Sequence, residues 1–365
     1  MSESLFDTSA GVFLQELRKG RYPKTLCTDR RVLATVVDLG IGTEGAGAVQ
    51  GVTLLTPDVV VQLLQDRRRV DLVEPFKLAL LKLTSQEAAK MMALADYPAA
   101  LPLALDAVKQ GQRLFLAQPA LEMFPLYLLA AQANLGLRRS RQCEDFLSLA
   151  SHLVVQEAAG MTHMMQAHLS RLYGQLYVLE GRLEEALEAF AEDVYYCSLE
   201  HGPNDVRTSL GYYNLGKVFQ SLGQAEQCLA CNDQSVTIWV DTLRSVVLGH
   251  ESVLAPRAAA RESLPLNDLQ LLEVMDMLRD IKATHQELLG ESHPRAGDLH
   301  FVLGLCLMYL QKWDAAEEEL GLARDVFQSS GEGEPLEVVN EAFSLLQSRD
   351  LLPRLQDASA LSLGA

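Results

Sequence analysis

Residues 168–245 read HLSRLYGQLYVLEGRLEEALEAFAEDVYYCSLEHGPNDVRTSLGYYNLGKVFQSLGQAEQCLACNDQSVTIWVDTLRS, and one pattern occurs in them twice. The first copy carries Gly174, Tyr177, Gly181, Ala186 and Phe190; the second carries Gly216, Phe219, Gly223, Cys228 and Asn232 at the same offsets. Small residues recur where two helices must approach closely, and an aromatic follows the first of them by one helical turn. A chain built this way is a succession of helix–turn–helix units, each leaving an apolar face that only a neighbouring unit can bury.

The pattern resembles the tetratricopeptide repeat, and it extends outward from this stretch. Upstream, Ala88, Tyr97, Ala100, Ala104 and Ala107 form one unit, and Ala131, Cys143, Leu147 and Ala150 form the next. Downstream, Gly304, Trp313, Ala316, Leu320 and Ala323 form the last clear one. Ala88, Ala131, Gly174 and Gly216 are spaced by 43, 43 and 42 residues, and Gly216 to Gly304 is 88. The last interval equals two periods. It predicts a degenerate fifth unit with a first helix near 252–262 and a second over 267–289. The minimal repeat is about 34 residues, so each unit here has a longer second helix and loop, as in kinesin light chains. The expected fold is all-α: a right-handed superhelix of about six helix pairs over 81–348. A mixed segment over 1–80 precedes it and a tail over 349–365 follows. Within 1–80 the reading gives an amphipathic stretch from Phe6 to Leu17, a β-branched run over 31–39, a glycine-rich loop over 40–51 and a helix starting at Thr56-Pro57.

Composition narrows the function. Of 365 residues, 48% are hydrophobic, enough for a large core, yet no run approaches the roughly 18 uncharged residues of a membrane span. MSESLFDTSAG lacks the basic-then-apolar order of a secretory signal. The formal charge of −17 argues against nucleic acid or anionic lipid as the main partner. Cys27, Cys143, Cys197, Cys228, Cys231 and Cys306 are scattered, mostly at small apolar helix positions, which fits free thiols in a reducing compartment.

Three strings imitate chemistry. Gly40-Ile-Gly42-Thr-Glu-Gly45 matches GxGxxG, but Ala46 to Gly51 is poor helix, whereas a dinucleotide site needs a helix to open at the third glycine. Gly211 to Lys217 resembles a phosphate-binding loop until Val218, where magnesium needs Ser or Thr. Cys228-Leu-Ala-Cys231 has no second pair to complete a zinc site, and Cys228 takes the place of Ala186. The histidines form no HExxH, and no GxSxG occurs. A SET methyltransferase domain would not fit into 80 residues. The chain therefore reads as non-catalytic, with no cofactor and no metal.

Residues 101–147 and 171–219 carry a more specific resemblance. The second segment holds Glu184-Glu185-Ala186, Asp193-Val194-Tyr195 and Asp205-Val-Arg-Thr-Ser-Leu-Gly-Tyr212. In these features the chain resembles the zinc finger MYND domain-containing protein 12 family. That resemblance implies an axonemal role in motile cilia or flagella: a scaffold or docking subunit of a single-headed inner-arm dynein. It would bind the dynein heavy chain and a second repeat protein similar to tetratricopeptide repeat protein 29, and would reside in the cytoplasm, cytoskeleton and axoneme. The chain departs from the family in one respect. Only Cys27 falls within the first 140 residues, so no MYND finger and no zinc carry over. The alternative is a soluble, kinesin-light-chain-like cargo or assembly adaptor; the residue spacing favours it, and the lack of an N-terminal heptad coiled coil disfavours it.

Candidate partner contacts are the fifth, ninth and twelfth positions of the first helices, which line the concave face of such an array. They are Arg171, Gln175 and Val178 in one unit, Tyr213, Lys217 and Gln220 in the next, and Phe301, Leu305 and Met308 in the last.

Overall fold

The computed structural model describes residues 65, 73–115, 121–156, 160–250, 264, 268–290 and 293–347. The elements expected before residue 65, the helix expected near 252–262 and the tail over 349–365 lie outside the described residues. Every regular element described is helical. The chain divides into two compact units, Met1–Gly160 and Met161–Ala365.

The first unit holds two helix pairs: α1 (Val73–Ala93) with α2 (Tyr97–Leu114), and α3 (Phe124–Gly136) with α4 (Ser140–Gln156). A 3₁₀ turn over Leu121–Met123 leads into α3. α1 runs without interruption across residue 80, so the boundary expected there falls inside a helix. Asp96 caps α2 by accepting from the Ala99 N–H, and Pro98 occupies its first turn, where its missing N–H costs nothing.

The second unit holds α5 (His163–Glu180) with α6 (Leu183–His201), α7 (Val206–Ser221) with α8 (Ala225–Leu243), α9 (Asp268–Leu289), α10 (Pro294–Tyr309) with α11 (Trp313–Ser330), and α12 (Gly333–Gln347). A single π turn, Arg244–Leu248, extends α8.

All five pairs repeat the same three local devices in one register. Seven residues after Ala88, Ala131, Gly174, Gly216 and Gly304, the turn residue has positive φ: Ala95, Arg138, Gly181, Gly223 and Gln311, between 55° and 76°. The next N–H then closes a 6→1 bond onto the first helix, as from Arg182 to the Tyr177 carbonyl at 2.8 Å and from Gln224 to Phe219 at 2.9 Å. Sixteen residues after the same small residue comes its partner across the pair: Ala104, Leu147, Phe190, Asn232 and Leu320. A Cβ on Gly174 would lie 2.6 Å from the Phe190 ring, one on Gly216 2.5 Å from Asn232 Oδ1, and one on Gly304 2.8 Å from Leu320. Nineteen residues on sits a residue with no room to spare: Ala107, Ala150, Asp193, Ser235 and Ala323, all fully buried. Three of these five are alanine, and the other two carry polar side chains into the interior.

Successive pairs join through one relation, the second helix of a pair against the first helix of the next. In the first unit α2 packs on α3; in the second α6 packs on α7 and α8 packs on α10. The α10/α11 pair thus follows α7/α8 directly, and α12 lies on α11 as the next first helix. This corrects the expected place of the fifth unit's second helix. The helix forecast over 267–289 exists as α9, but it does not stand between the two pairs. It lies across them, packing on α10 and α8 and reaching α7 through a side chain.

Candidate interaction surface

Arg171 does not project outward. Its Nε and Nη2 donate to Asp193 Oδ2 and Oδ1 at 2.8 and 2.9 Å, a bidentate pair whose acid is fully buried. Burial pushes the Asp193 carboxyl up, and the guanidinium opposes that shift. Gly211 of α7 adjoins the same carboxylate, since a Cβ there would lie 3.3 Å from Asp193 Oδ2. The pair therefore ties α5 to α6 at the level where α7 packs. Gln175 is half-buried, and Val178, 40% exposed, is the open position of the three on α5.

On α7, Tyr213 and Lys217 converge on one acceptor. The tyrosine hydroxyl and the lysine ammonium both donate to Asp280 Oδ2, each at 2.7 Å. Asp280 belongs to α9. Burial works against its charge, but the bonds from Lys217 and Tyr213 outweigh burial and hold its carboxyl below the usual range. Tyr213 is displaced upward by burial first and by the neighbouring carboxylate second. Gln220 is half-buried.

On α10 the expectation fails outright. Phe301, Leu305 and Met308 are 4%, 0% and 3% exposed, and they share one core with Leu271, Met275, Leu278 and Ile281 of α9. They are not open to a partner. The physical reason is that α10 is packed on several sides, by α8, α9, α11, α12 and the π turn. Its sequence already carried the signal: FVLGLCLMYL is apolar around the whole helix, and a helix apolar all round has no solvent face.

α9 also meets the last pair. Lys282 Nζ lies 3.6 Å from Glu319 Oε1 on α11, and Glu319 Oε2 is hydrogen-bonded to His300 Nδ1 at 2.6 Å. The residue between the two α9 anchors, Ile281, is buried. Near the end of α9, His285 is 2% exposed, and neither ring nitrogen has a hydrogen-bond partner. Asp233 Oδ1 on α8 stands 3.7 Å from its Nε2.

The run that carries the family resemblance builds the corner between α6 and α7. Asp205 caps α7 through the Arg207 N–H and also accepts from the Arg207 side chain at 2.8 Å. Thr208 donates to the Gly202 carbonyl at 2.9 Å, and Ser209 Oγ receives the buried Trp239 indole N–H at 2.9 Å.

Two of the three imitations of chemistry resolve as packing. Gly211 to Lys217 lies wholly within α7. Cys228 is fully buried, and burial raises both Cys228 and Cys231 thiols, the latter to about 11. Such thiols stay protonated and are poor nucleophiles and ligands. The glycine string at 40–45 lies outside the described residues. Among the described residues, no cluster of His, Cys, Asp and Glu could hold a metal ion, and no helix is long and apolar enough to cross a membrane.

No profile of a known protein family matches the chain. Among solved structures it is similar to BtubC (BKLC) from P. vanneervenii, with 16% identity over 74% of this chain and 93% of that one, at a TM-score of 0.34. It is similar to RapI in its apo form, with 13% identity over 74% and 73%, at 0.38. It is also similar to the TPR-like repeats of a putative kinesin light chain from Podospora anserina, with 18% identity over 60% and 100%, at 0.30. None of the three bears on what this chain binds. Its own geometry establishes an all-α tetratricopeptide-repeat fold, built of helix pairs in one recurring register.

Proposed function

We propose that this protein is a non-catalytic scaffold that acts by holding other proteins, and that it serves as a docking subunit of a single-headed inner-arm dynein in motile cilia or flagella. The observation that carries the scaffold reading is the occupied first-helix face of the second unit: Tyr213 and Lys217 there already grip a helix through Asp280. A surface that binds one helix in cis has the shape and the donors to bind protein segments. The repeat architecture supports the same reading, because stacked helix pairs offer extended faces on which protein segments can lie.

The axonemal part rests on the resemblance of residues 101–147 and 171–219 to the zinc finger MYND domain-containing protein 12 family. On that basis the partners are a dynein heavy chain and a repeat protein similar to tetratricopeptide repeat protein 29. Salt extraction of isolated axonemes, followed by immunodetection of this chain, tests the proposal. Co-extraction with an inner-arm dynein fraction is expected. Recovery only with the soluble cell body would overturn the axonemal assignment and leave the cargo- or assembly-adaptor alternative.

A further inference from the structure

We propose that α9 is an exchangeable internal ligand: it fills the α7/α10 face in place of a partner's amphipathic helix that carries an acid–apolar–base triplet. The inference rests on the scaffold reading and names the partner chemistry for that face.

Asp280-Ile281-Lys282 makes three contacts of different kinds. The carboxylate takes both donors of α7, the isoleucine enters the core, and the ammonium faces Glu319 of α11. Acid toward one element and base toward another fix the direction and register of whatever helix lies there. The apolar stripe of α9, Leu271, Met275, Leu278 and Ile281, supplies the remaining fit.

Two observations separate α9 from the stack it covers. α10 packs on α8 directly, as α7 packs on α6, so the succession of pairs does not need α9 to bridge it. The fit of α9 is also imperfect, because His285 is buried with both ring nitrogens unbonded. A buried polar group without a hydrogen bond favours any competitor that lacks it. Simple withdrawal of α9 would bare the core of α10, so the face exchanges one helix for another rather than opening. The required occupant is therefore an amphipathic helix with the same stripe and triplet, and an apolar residue at the place of His285 improves on α9.

The test uses the full chain and a labelled peptide of residues 268–289, read by fluorescence anisotropy. Asp280→Lys sets an ammonium against Lys217 and weakens the internal ligand while leaving its apolar stripe intact. The peptide should bind this variant about tenfold or more tightly than the wild-type chain. Combining it with Lys217→Glu restores the internal clamp and should return binding to the wild-type level or below, because the new carboxylate also repels the peptide's own Asp280. A peptide with His285→Leu should bind better than the native peptide. Equal peptide affinity for the wild type and a folded Asp280→Lys chain would overturn the proposal. Hydrogen exchange on the wild type gives a second reading that needs no variant. The amides of 268–289 should be protected at least about tenfold less than those of 299–308, and equal protection would mean that α9 does not leave independently. The axonemal fractionation is unaffected by either result, so the two readings fail separately.

Discussion

Removing the Arg171 side chain should destabilise the second unit by several kilocalories per mole, although a charged residue on a first helix looks expendable. The partner left behind is Asp193, whose side chain is fully buried while that of Arg171 is 16% exposed. Arg171→Ala strands a desolvated carboxylate, fully buried beside Gly211 of α7. Breaking a buried pair from one side costs about 3–5 kcal/mol. That is a large part of the roughly 5–15 kcal/mol that holds a domain together. The opposite deletion is milder: after Asp193→Ala the guanidinium, at the edge, can reach solvent. Arg171→Met with Asp193→Ala removes both charges and should recover most of the loss. Urea unfolding followed by circular dichroism gives the three values and their coupling energy. Burial already raises the Asp193 carboxyl, and loss of Arg171 raises it further. The single variant should therefore regain stability relative to wild type as pH falls and the stranded acid takes up a proton. A loss under about 1 kcal/mol at pH 7, typical of an exposed pair, would refute this account and return Arg171 to the pool of partner contacts.

The turns offer a reciprocal pair of substitutions. Gln311 is exposed with φ 59°, at the register where Gly223 has φ 72°, so Gln311→Gly should stabilise by about 0.5–1 kcal/mol and Gly223→Ala should destabilise by about 1 kcal/mol; thermal melting decides, and the same sign for both would refute the argument. Acid stability depends on two groups that oppose each other. Burial, with Arg295 and His293 adding, lowers His285 from 6.5 to about 4, while Asp233 also faces it. Between those values the unfolded chain binds the proton and the native one does not, so stability falls as pH falls. Burial, with Glu332 and Asp233 adding against Arg295, raises Asp298 from 3.8 to about 6, so there the native chain binds the proton and stability rises as pH falls. Each shift is worth about 3 kcal/mol at most, and over pH 6 to 4 they largely offset. Asp298→Asn should expose the histidine, with a urea midpoint that drops faster than wild type between pH 6 and 4.5. Parallel profiles would show that His285 is not held neutral.

What the sequence made legible is whatever a single helix pair decides by itself. Gly174 needs to be small because Phe190 lies over it, and Gly304 because Leu320 does; both constraints act within about twenty residues, so spacing reveals them. The buried Arg171–Asp193 pair was also within reach. Its position, nineteen residues after the contact glycine, is Ala107, Ala150 and Ala323 elsewhere, and a carboxylate in a site sized for alanine requires a cation close by. Exposure was misjudged because the expected partner-facing positions were counted on an ideal repeat. Period arithmetic cannot distinguish a helix that takes its turn in the stack from one that lies across it, since both are amphipathic and both add the same residues to the interval. The distinction was carried by α10 instead. A first helix with a solvent face alternates apolar and polar sides, as α7 does with Lys217 exposed and Val218 buried. A first helix with buried Phe301, Val302, Leu303 and Gly304 around its circumference can be stable only if something covers it. The nearest amphipathic segment without a described pairing partner, 268–289, is what the structure places there. The all-apolar helix and the supernumerary amphipathic one are thus two halves of a single requirement: the face that makes a repeat protein useful is also a face it must not leave bare.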